Sequence, residues 1–152
     1  MQKIYITSAV LFISALCIHA QNIYKEQLEG CDTKMFALES ETKTAHIDDT
    51  EIIKALSTLI DDTQRNKIKG KLKLQIIVYT DSSSCLLSYE NDTNMKTTNL
   101  NIEEFRAYIN ENLVWTNKDK NVAALIEIKF KKKKVVIERL GMDGKRGWHI
   151  LD

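Results

Sequence analysis

The chain has 152 residues, of which 43% are hydrophobic and 28% are charged, and this is the composition of one globular domain. Its 22 basic and 21 acidic residues give a formal net charge of +1, so it lacks the basic surplus of a general nucleic-acid binder. The absence of proline and the low glycine count of five exclude collagen-like, proline-rich and glycine-rich repeat architectures. No motif in the sequence indicates a catalytic chemistry.

The first twenty residues are typical of an export signal. Lys3 supplies a positive start, residues 4–18 carry no charge, and Ala20 is a small residue directly before polar Gln21. The apolar stretch is shorter than the roughly 20 residues that a membrane-spanning helix needs. We therefore predict a signal peptide over residues 1–20, cleaved after Ala20, and an exported protein that is periplasmic or secreted in a bacterial envelope.

Two other interpretations of this segment stay open. It is an uncleaved membrane anchor if its short apolar stretch still spans the bilayer. Alternatively, Cys17 is the lipidated cysteine of a lipoprotein, although Leu16 stands where such signals prefer a small residue. Cleavage after Ala20 predicts a mature protein without stable membrane insertion and, because only Lys3 is lost among the charges, without net charge.

Two cysteines remain after the predicted cleavage, Cys31 and Cys85. In an oxidising compartment they are candidates for a disulfide. The alternative is that Cys85 is a small buried hydrophobe and Cys31 a free thiol in a loop. Two cysteines are too few for a disulfide-built miniprotein, so a hydrophobic core must carry the fold.

The N-terminal part of the mature chain differs from the rest. Residues 21–47 show no sustained periodicity and are predicted to be irregular, followed by one domain over residues 48–152. Asp48 and Glu51 stand at capping-box spacing and predict the start of an amphipathic helix. Its apolar stripe comprises Ile52, Ile53, Leu56, Leu59 and Ile60.

A hairpin and a second helix follow. After Gly70, apolar and polar residues alternate as in a half-buried strand, a polar turn occupies residues 81–84, and residues 85–90 return before a loop over 91–99. Asn101 precedes Glu104 at capping-box spacing and opens the helix. The buried face of this helix comprises Ile102, Phe105, Ile109 and Leu113.

The last third of the chain predicts a second hairpin. Residues 122–130 alternate, the lysine run turns the chain, residues 135–140 return, and the tail over 141–152 docks its apolar residues back onto the sheet. The order is helix, hairpin, helix, hairpin. It predicts a two-layer α+β domain, with an antiparallel sheet and two helices packed on one of its faces.

The stretch from Gly70 to Phe130 resembles the C-terminal domain of TonB-type energy transducers. The resemblance lies in a glycine that leads into an alternating strand, a hairpin, a loop, a helix, a tryptophan-containing loop and an alternating strand that ends at phenylalanine. The matching text is GKLKLQIIVYTDSSSCLLSYEND followed by NIEEFRAYINENLVWTNKDKNVAALIEIKF. The resemblance implies a periplasmic domain that binds other proteins through its sheet edge and helps to transmit force to outer-membrane receptors.

The chain also departs from that family. It has no proline-rich spacer, its one hydrophobic segment looks cleavable, residues 81–84 replace the usual turn glycine, and Thr116 replaces the proline that often follows the tryptophan. We therefore predict a stand-alone, exported, non-enzymatic interaction module. Its expected partner is another envelope protein that adds a strand to an exposed sheet edge.

Alternatives to this function stay open, and so do the roles of the candidate residues. A small secreted enzyme or inhibitor with a site around Trp148 and His149 is one alternative, and a structural envelope protein is the other. No catalytic, cofactor-binding or metal-ligating residue is predicted, because the two histidines beyond the signal share no ligand spacing with the cysteines.

The lysine run at the tip of the second hairpin either contacts anionic material or is solvated and protects a sheet edge from aggregation. The candidate partner-binding residues are Lys131, Lys132, Lys133, Lys134 and Trp148.

Overall fold

The computed structural model describes residues 22–117, 119–132 and 134–152. The signal peptide, its cleavage after Ala20 and the lipidation alternative at Cys17 fall outside the described residues, and so does Lys133. No helix in the described part of the chain combines the length and apolarity needed to cross a membrane.

The described chain is an α+β structure with three α-helices and a seven-stranded, mostly antiparallel sheet, which confirms the predicted class. The helices are α1 (Asp49–Leu59), α2 (Asp62–Arg65) and α3 (Ile102–Asn112), with a short 3-10 turn at Thr97–Asn99. The strands are β1 (Glu26–Gln27), β2 (Ala37–Leu38), β3 (Gly70–Val78), β4 (Ser84–Thr93), β5 (Val122–Lys131), β6 (Lys134–Asp143) and β7 (Gly147–Ile150).

The sheet runs in the order β1-β4-β3-β5-β6-β7. β2 is the exception to this path and to the antiparallel pattern, because it pairs in parallel with β5 through Ala37 and Val122. β6 pairs with the same edge of β5, starting at Leu125. β2 and β6 therefore lie one after the other along that edge. The two central strands, β3 and β5, are paired over the full length of β3.

One hydrophobic cluster joins α1 and α3 to the inner-facing residues of β3 and β5. From β3 and β5 it takes Leu72, Leu74, Ile76, Val78, Val122, Ala124, Ile126, Ile128 and Phe130. This is the alternation that the sequence predicts, since every second residue of a strand points to the same face. Trp115, three residues after the end of α3, is only 1% exposed and belongs to the same cluster.

The apolar stripe of α1 is narrower than predicted. Ile52, Leu56 and Leu59 are buried, but Ile53 is 40% exposed. Each helical residue is rotated by about 100° from the one before it, so Ile53 lies at the margin of the face that Ile52 buries.

The capping boxes are not where the spacing predicts them. The Asp48 carboxylate accepts a hydrogen bond from the Thr50 N–H at 2.8 Å, whereas Glu51 pairs with Lys54 at 2.6 Å instead of reaching back. Asn101 makes no side-chain cap at the start of α3. A complete capping box forms at α2, where Asp61 accepts from the Gln64 N–H and the Gln64 side chain accepts from the Asp61 N–H.

Two strands extend into regions predicted to be loop or tail. β4 continues to Thr93 because it pairs with β3 as far as Gly70, and β6 continues to Asp143 because β7 pairs with it. Gly70 has φ +107°, and an added Cβ would collide with the Asp92 carbonyl oxygen, so a glycine is required where β3 begins.

Residues 22–38, which we call the N-terminal strap, are more ordered than predicted. β1 pairs with the edge of β4 that is turned away from β3, and β2 pairs with the edge of β5 that is turned away from β3. Between them, Cys31 forms a disulfide with Cys85, and the Tyr79 hydroxyl donates to the Asp32 carbonyl oxygen at 3.2 Å. Cys85 and Tyr79 point away from the core cluster, so the strap crosses the sheet face opposite that cluster, which we call the outer face.

Candidate functional site

The structure separates the two predicted partner-binding surfaces. Lys131 and Lys134 pair with each other at the β5–β6 turn, with Lys132 between them. Trp148 lies on β7 opposite Met142, near the other end of β6. Lys134 at the turn and Met142 opposite Trp148 are eight residues apart along β6, which at roughly 3.4 Å per residue is about 27 Å. They therefore do not form one site.

β7 ends the sheet with an open edge in the described structure. The Leu151 N–H donates to the Arg139 carbonyl oxygen at 2.9 Å, just beyond the pairing of Ile150 with Leu140. Because antiparallel pairs alternate between bonded and non-bonded positions, Trp148 and Ile150 direct their N–H and C=O groups away from β6. These main-chain groups are free to pair with an added strand.

Exposed apolar side chains lie beside this open edge. Met142, Trp148 and Ile150 are 40%, 51% and 54% exposed, and the strand register places all three on the outer face. A groove of about 220 Å³ runs next to them, lined by Tyr24, Lys73, Leu140 and Trp148. Clustered apolar surface of this kind is typical of an interaction site. Burial raises the pKa of the Tyr24 hydroxyl from its ordinary value of 10.0 to about 12.

The rest of the outer face carries cross-strand ion pairs. Lys73 contacts Glu90 at 2.7 Å and Asp92 at 2.9 Å. The hydrogen bond to Glu90, followed by that to Asp92, raises the pKa of Lys73, and the Lys73 ammonium in turn lowers the pKa of Asp92. The charges in this part of the face are therefore largely compensated within the sheet.

A second group of ion pairs continues this network across β5. Lys129 lies 2.5 Å from Glu138 and 3.3 Å from Glu127, and Lys71 reaches Glu127 at 3.2 Å. The hydrogen bond to Glu138 raises the pKa of Lys129. Lys71 and Lys129 are thus held on the sheet and are less available to an external partner.

A buried ion pair joins the segment that directly follows the strap to β6. The Arg139 Nε donates to Glu39 at 2.7 Å, and the other Glu39 oxygen accepts from the N–H groups of Thr44 and Ala45. Arg139 also lies 5.1 Å from the centre of the Trp115 ring. Burial lowers the pKa of Arg139, and Glu39 opposes that shift. This arrangement fixes residues 39–45 against β6 and is structural.

The histidines and cysteines in the described part of the chain do not assemble a chemical site. Cys85 is in the disulfide and is not a thiol nucleophile. The His149 Nδ1 faces the Gly147 carbonyl oxygen at 2.9 Å, and its Nε2 is 3.8 Å from Asp143. His46 forms a backbone bridge to Thr116 and is not grouped with His149. Within the described ranges, no three His, Cys, Asp or Glu side chains are grouped to hold a metal ion.

Sequence reasoning missed the open edge and the Glu39–Arg139 pair. β7 is four residues long and offered too short a pattern to assign as a strand. One signal for the buried pair was present, because Arg139 continues the inward-facing series of Val135 and Ile137 and so required a buried anionic partner.

Comparison with known proteins gives no match to a family model, to a curated protein or to a solved structure. The resemblance to the TonB-type C-terminal domain therefore stays a prediction.

Proposed function

We propose that this chain is an exported, non-enzymatic protein-interaction module of the TonB C-terminal-domain type. In this proposal the domain has two layers, with α1 and α3 on one face of the antiparallel sheet. The shared hydrophobic cluster of these helices with β3 and β5 supports that arrangement. The partner is another envelope protein, which adds a strand to β7.

The observation that carries the proposal is the outward direction of the Trp148 and Ile150 peptide groups at the last strand of the sheet. Strand addition takes its affinity from main-chain hydrogen bonds and its specificity from pockets for alternate side chains. The exposed side chains of Trp148 and Ile150, with the groove next to Tyr24, offer such pockets on the outer face.

The disulfide supports the exported location. Structural disulfides persist in oxidising compartments and are rare in the reducing cytosol. Cys31 and Cys85 lie 54 residues apart in the sequence, and their bond ties the strap to β4.

Site-specific photo-cross-linking in the producing cells tests the proposal. A photoreactive amino acid at position 148 should form an adduct with a protein of the envelope, because it lies at the strand-accepting edge. The matched control is position 114, where Val114 is 76% exposed but lies in the loop after α3. Adducts at both positions, or at neither, would contradict the proposal.

A proline in β7 tests whether the partner binds through main-chain hydrogen bonds or only through side-chain contacts. Ile150→Pro removes an outward N–H without removing a β6–β7 hydrogen bond, so it should abolish the adduct formed at position 148. Ile150→Ala keeps the N–H and should retain most of the adduct. Equal adduct yields from the two variants would show that the partner does not pair with this edge.

A further inference from the structure

Lysines from two distant parts of the sequence meet at one end of the sheet. β3 and β5 are antiparallel, and Gly70 pairs with Phe130, so the residues just before β3 lie beside the β5–β6 turn. The turn itself pairs Lys131 with Lys134. We call the resulting group of lysines the basic end. It comprises Lys67, Lys69, Lys131, Lys132 and Lys134.

The charges of the basic end are exposed and uncompensated. All five side chains are exposed, and in the described structure none lies within 4.0 Å of a carboxylate. The acids on the adjoining outer face are already engaged, since Asp92 pairs with Lys73 and Glu127 pairs with Lys71 and Lys129. The exported protein, which is predicted to carry no net charge, thus presents a group of positive charges at this end of the sheet.

The turn at the basic end carries two local penalties in the free protein. Lys131 stands directly opposite Lys134, and like charges at such cross-strand positions are destabilising. Lys132 has φ +45°, a left-handed conformation in which two-residue hairpin turns prefer asparagine or glycine. These lysines therefore do not stabilise the turn. A nearby anionic surface would offset the repulsion between Lys131 and Lys134.

We propose that the basic end docks the exported protein onto an anionic lipid surface through the headgroup phosphates. Ammonium groups spread over the end of a sheet act as point charges and suit a plane of phosphates. Met142, Trp148 and Ile150, the large exposed hydrophobic side chains of β6 and β7, lie toward the other end of the sheet. In the described part of the basic end there is thus neither an exposed aromatic platform for nucleic-acid bases nor an exposed large apolar group that inserts into the membrane.

This orientation leaves the strand-accepting edge free. Trp148 lies near the far end of β6 from Lys134, so a molecule docked by its basic end presents β7 away from the membrane. The lipid contact and the strand addition therefore use different surfaces, and a negative test of one proposal does not contradict the other.

Vesicle co-sedimentation with the exported protein tests the docking. We expect binding to vesicles that contain phosphatidylglycerol and none to pure phosphatidylcholine, with loss of binding as salt is raised. The triple variant Lys69→Gln, Lys131→Gln, Lys132→Gln should weaken binding by about 100-fold, since each lysine near an anionic surface contributes about fivefold.

A control variant with the same change of net charge tests whether the vesicles bind the basic end itself or are attracted by the overall charge of the protein. Lys34→Gln, Lys120→Gln and Lys145→Gln remove three charges near the opposite end of the sheet and should weaken vesicle binding by less than about fivefold. Equal losses in the two triple variants would overturn the proposal. Displacement of the protein from vesicles by inorganic phosphate or a short DNA duplex would overturn it as well, because the preferred ligand would then not be a lipid surface.

A single substitution at the turn gives a second readout. Lys132→Gly relieves the left-handed lysine and should raise the melting temperature of the free protein, while it weakens vesicle binding by about fivefold. A lysine that served only the fold would lower the melting temperature when replaced. That result, or unchanged vesicle binding, would count against the proposal.

Discussion

At the scale of single residues, Arg139 shows what one inward-facing charge requires. It follows Val135 and Ile137 on the side of β6 that faces the core cluster, where an unpaired guanidinium would be strongly destabilising. Glu39 supplies the counter-charge, and both of its carboxylate oxygens are hydrogen-bonded. A segment without a recognisable pattern is thereby held in one place on the sheet.

Phe105 provides the residue-scale test of the core. It is 0% exposed in the middle of the α3 stripe, so Phe105→Ala should lower the free energy of unfolding by about 3–5 kcal/mol through lost burial and a cavity. Urea denaturation measures this loss. The control Ile53→Ala, at the exposed margin of α1, should cost less than about 1 kcal/mol. Similar costs for the two variants would mean that the buried face of α3 is wrongly assigned.

At the scale of elements, the β6–β7 turn depends on one carboxylate. Asp143 accepts hydrogen bonds from the N–H groups of Arg146 at 2.6 Å and Lys145 at 2.8 Å, and from the Arg146 Nε at 2.7 Å. These bonds, led by the backbone N–H of Arg146, lower the pKa of Asp143 to about 2. The turn that presents the open edge of β7 is thus stabilised by the ionised form of Asp143.

The turn should therefore weaken in acid. Because the folded pKa of Asp143 is below its ordinary value of 3.8, its contribution is complete above that value and is lost as the pH falls toward about 2. An NMR titration of the Asp143 carboxyl should give a midpoint near 2, with faster amide exchange in β7 at the acid end. Asp143→Asn should remove this pH dependence of β7. A midpoint at the ordinary value would contradict the hydrogen-bonded turn.

At the scale of the whole molecule, the strap and the disulfide join the N-terminal segment to the sheet. The covalent link closes a loop of 54 residues and restricts the unfolded chain more than it adds contacts to the folded one. The strap also contributes hydrogen bonds, including one that the Ile23 N–H donates to the Gln75 side-chain oxygen at 2.8 Å. The irregular segment is in this way part of the folded unit.

Removing the disulfide should therefore destabilise the whole domain. Replacing both Cys31 and Cys85 by alanine should lower the free energy of unfolding by about 4 kcal/mol, given the length of the loop. Guanidinium denaturation of the oxidised protein and of the double variant measures the difference, and the reduced wild-type protein serves as the control. Equal stability of the oxidised protein and the variant would show that the link does not restrict unfolding.

Local periodicity was sufficient to predict α1, α3, β3 and β5. The residues that define each element lie within about ten positions of one another, so the apolar stripe or the alternation is visible in the sequence. The α+β class and the mostly antiparallel sheet followed from the order of these segments.

The tertiary structure alone decided the features whose partners are far apart in the chain. Two-residue strands such as β1 and β2 have no period, and Glu39 meets Arg139 across 100 positions. The edge of β7 is open because β7 is the last strand of the sheet that the described residues form, and the basic end exists because the β3–β5 register aligns two lysine-bearing segments. Periodicity specifies which face of an element is buried, whereas pairing between distant segments specifies which edges and charges stay exposed.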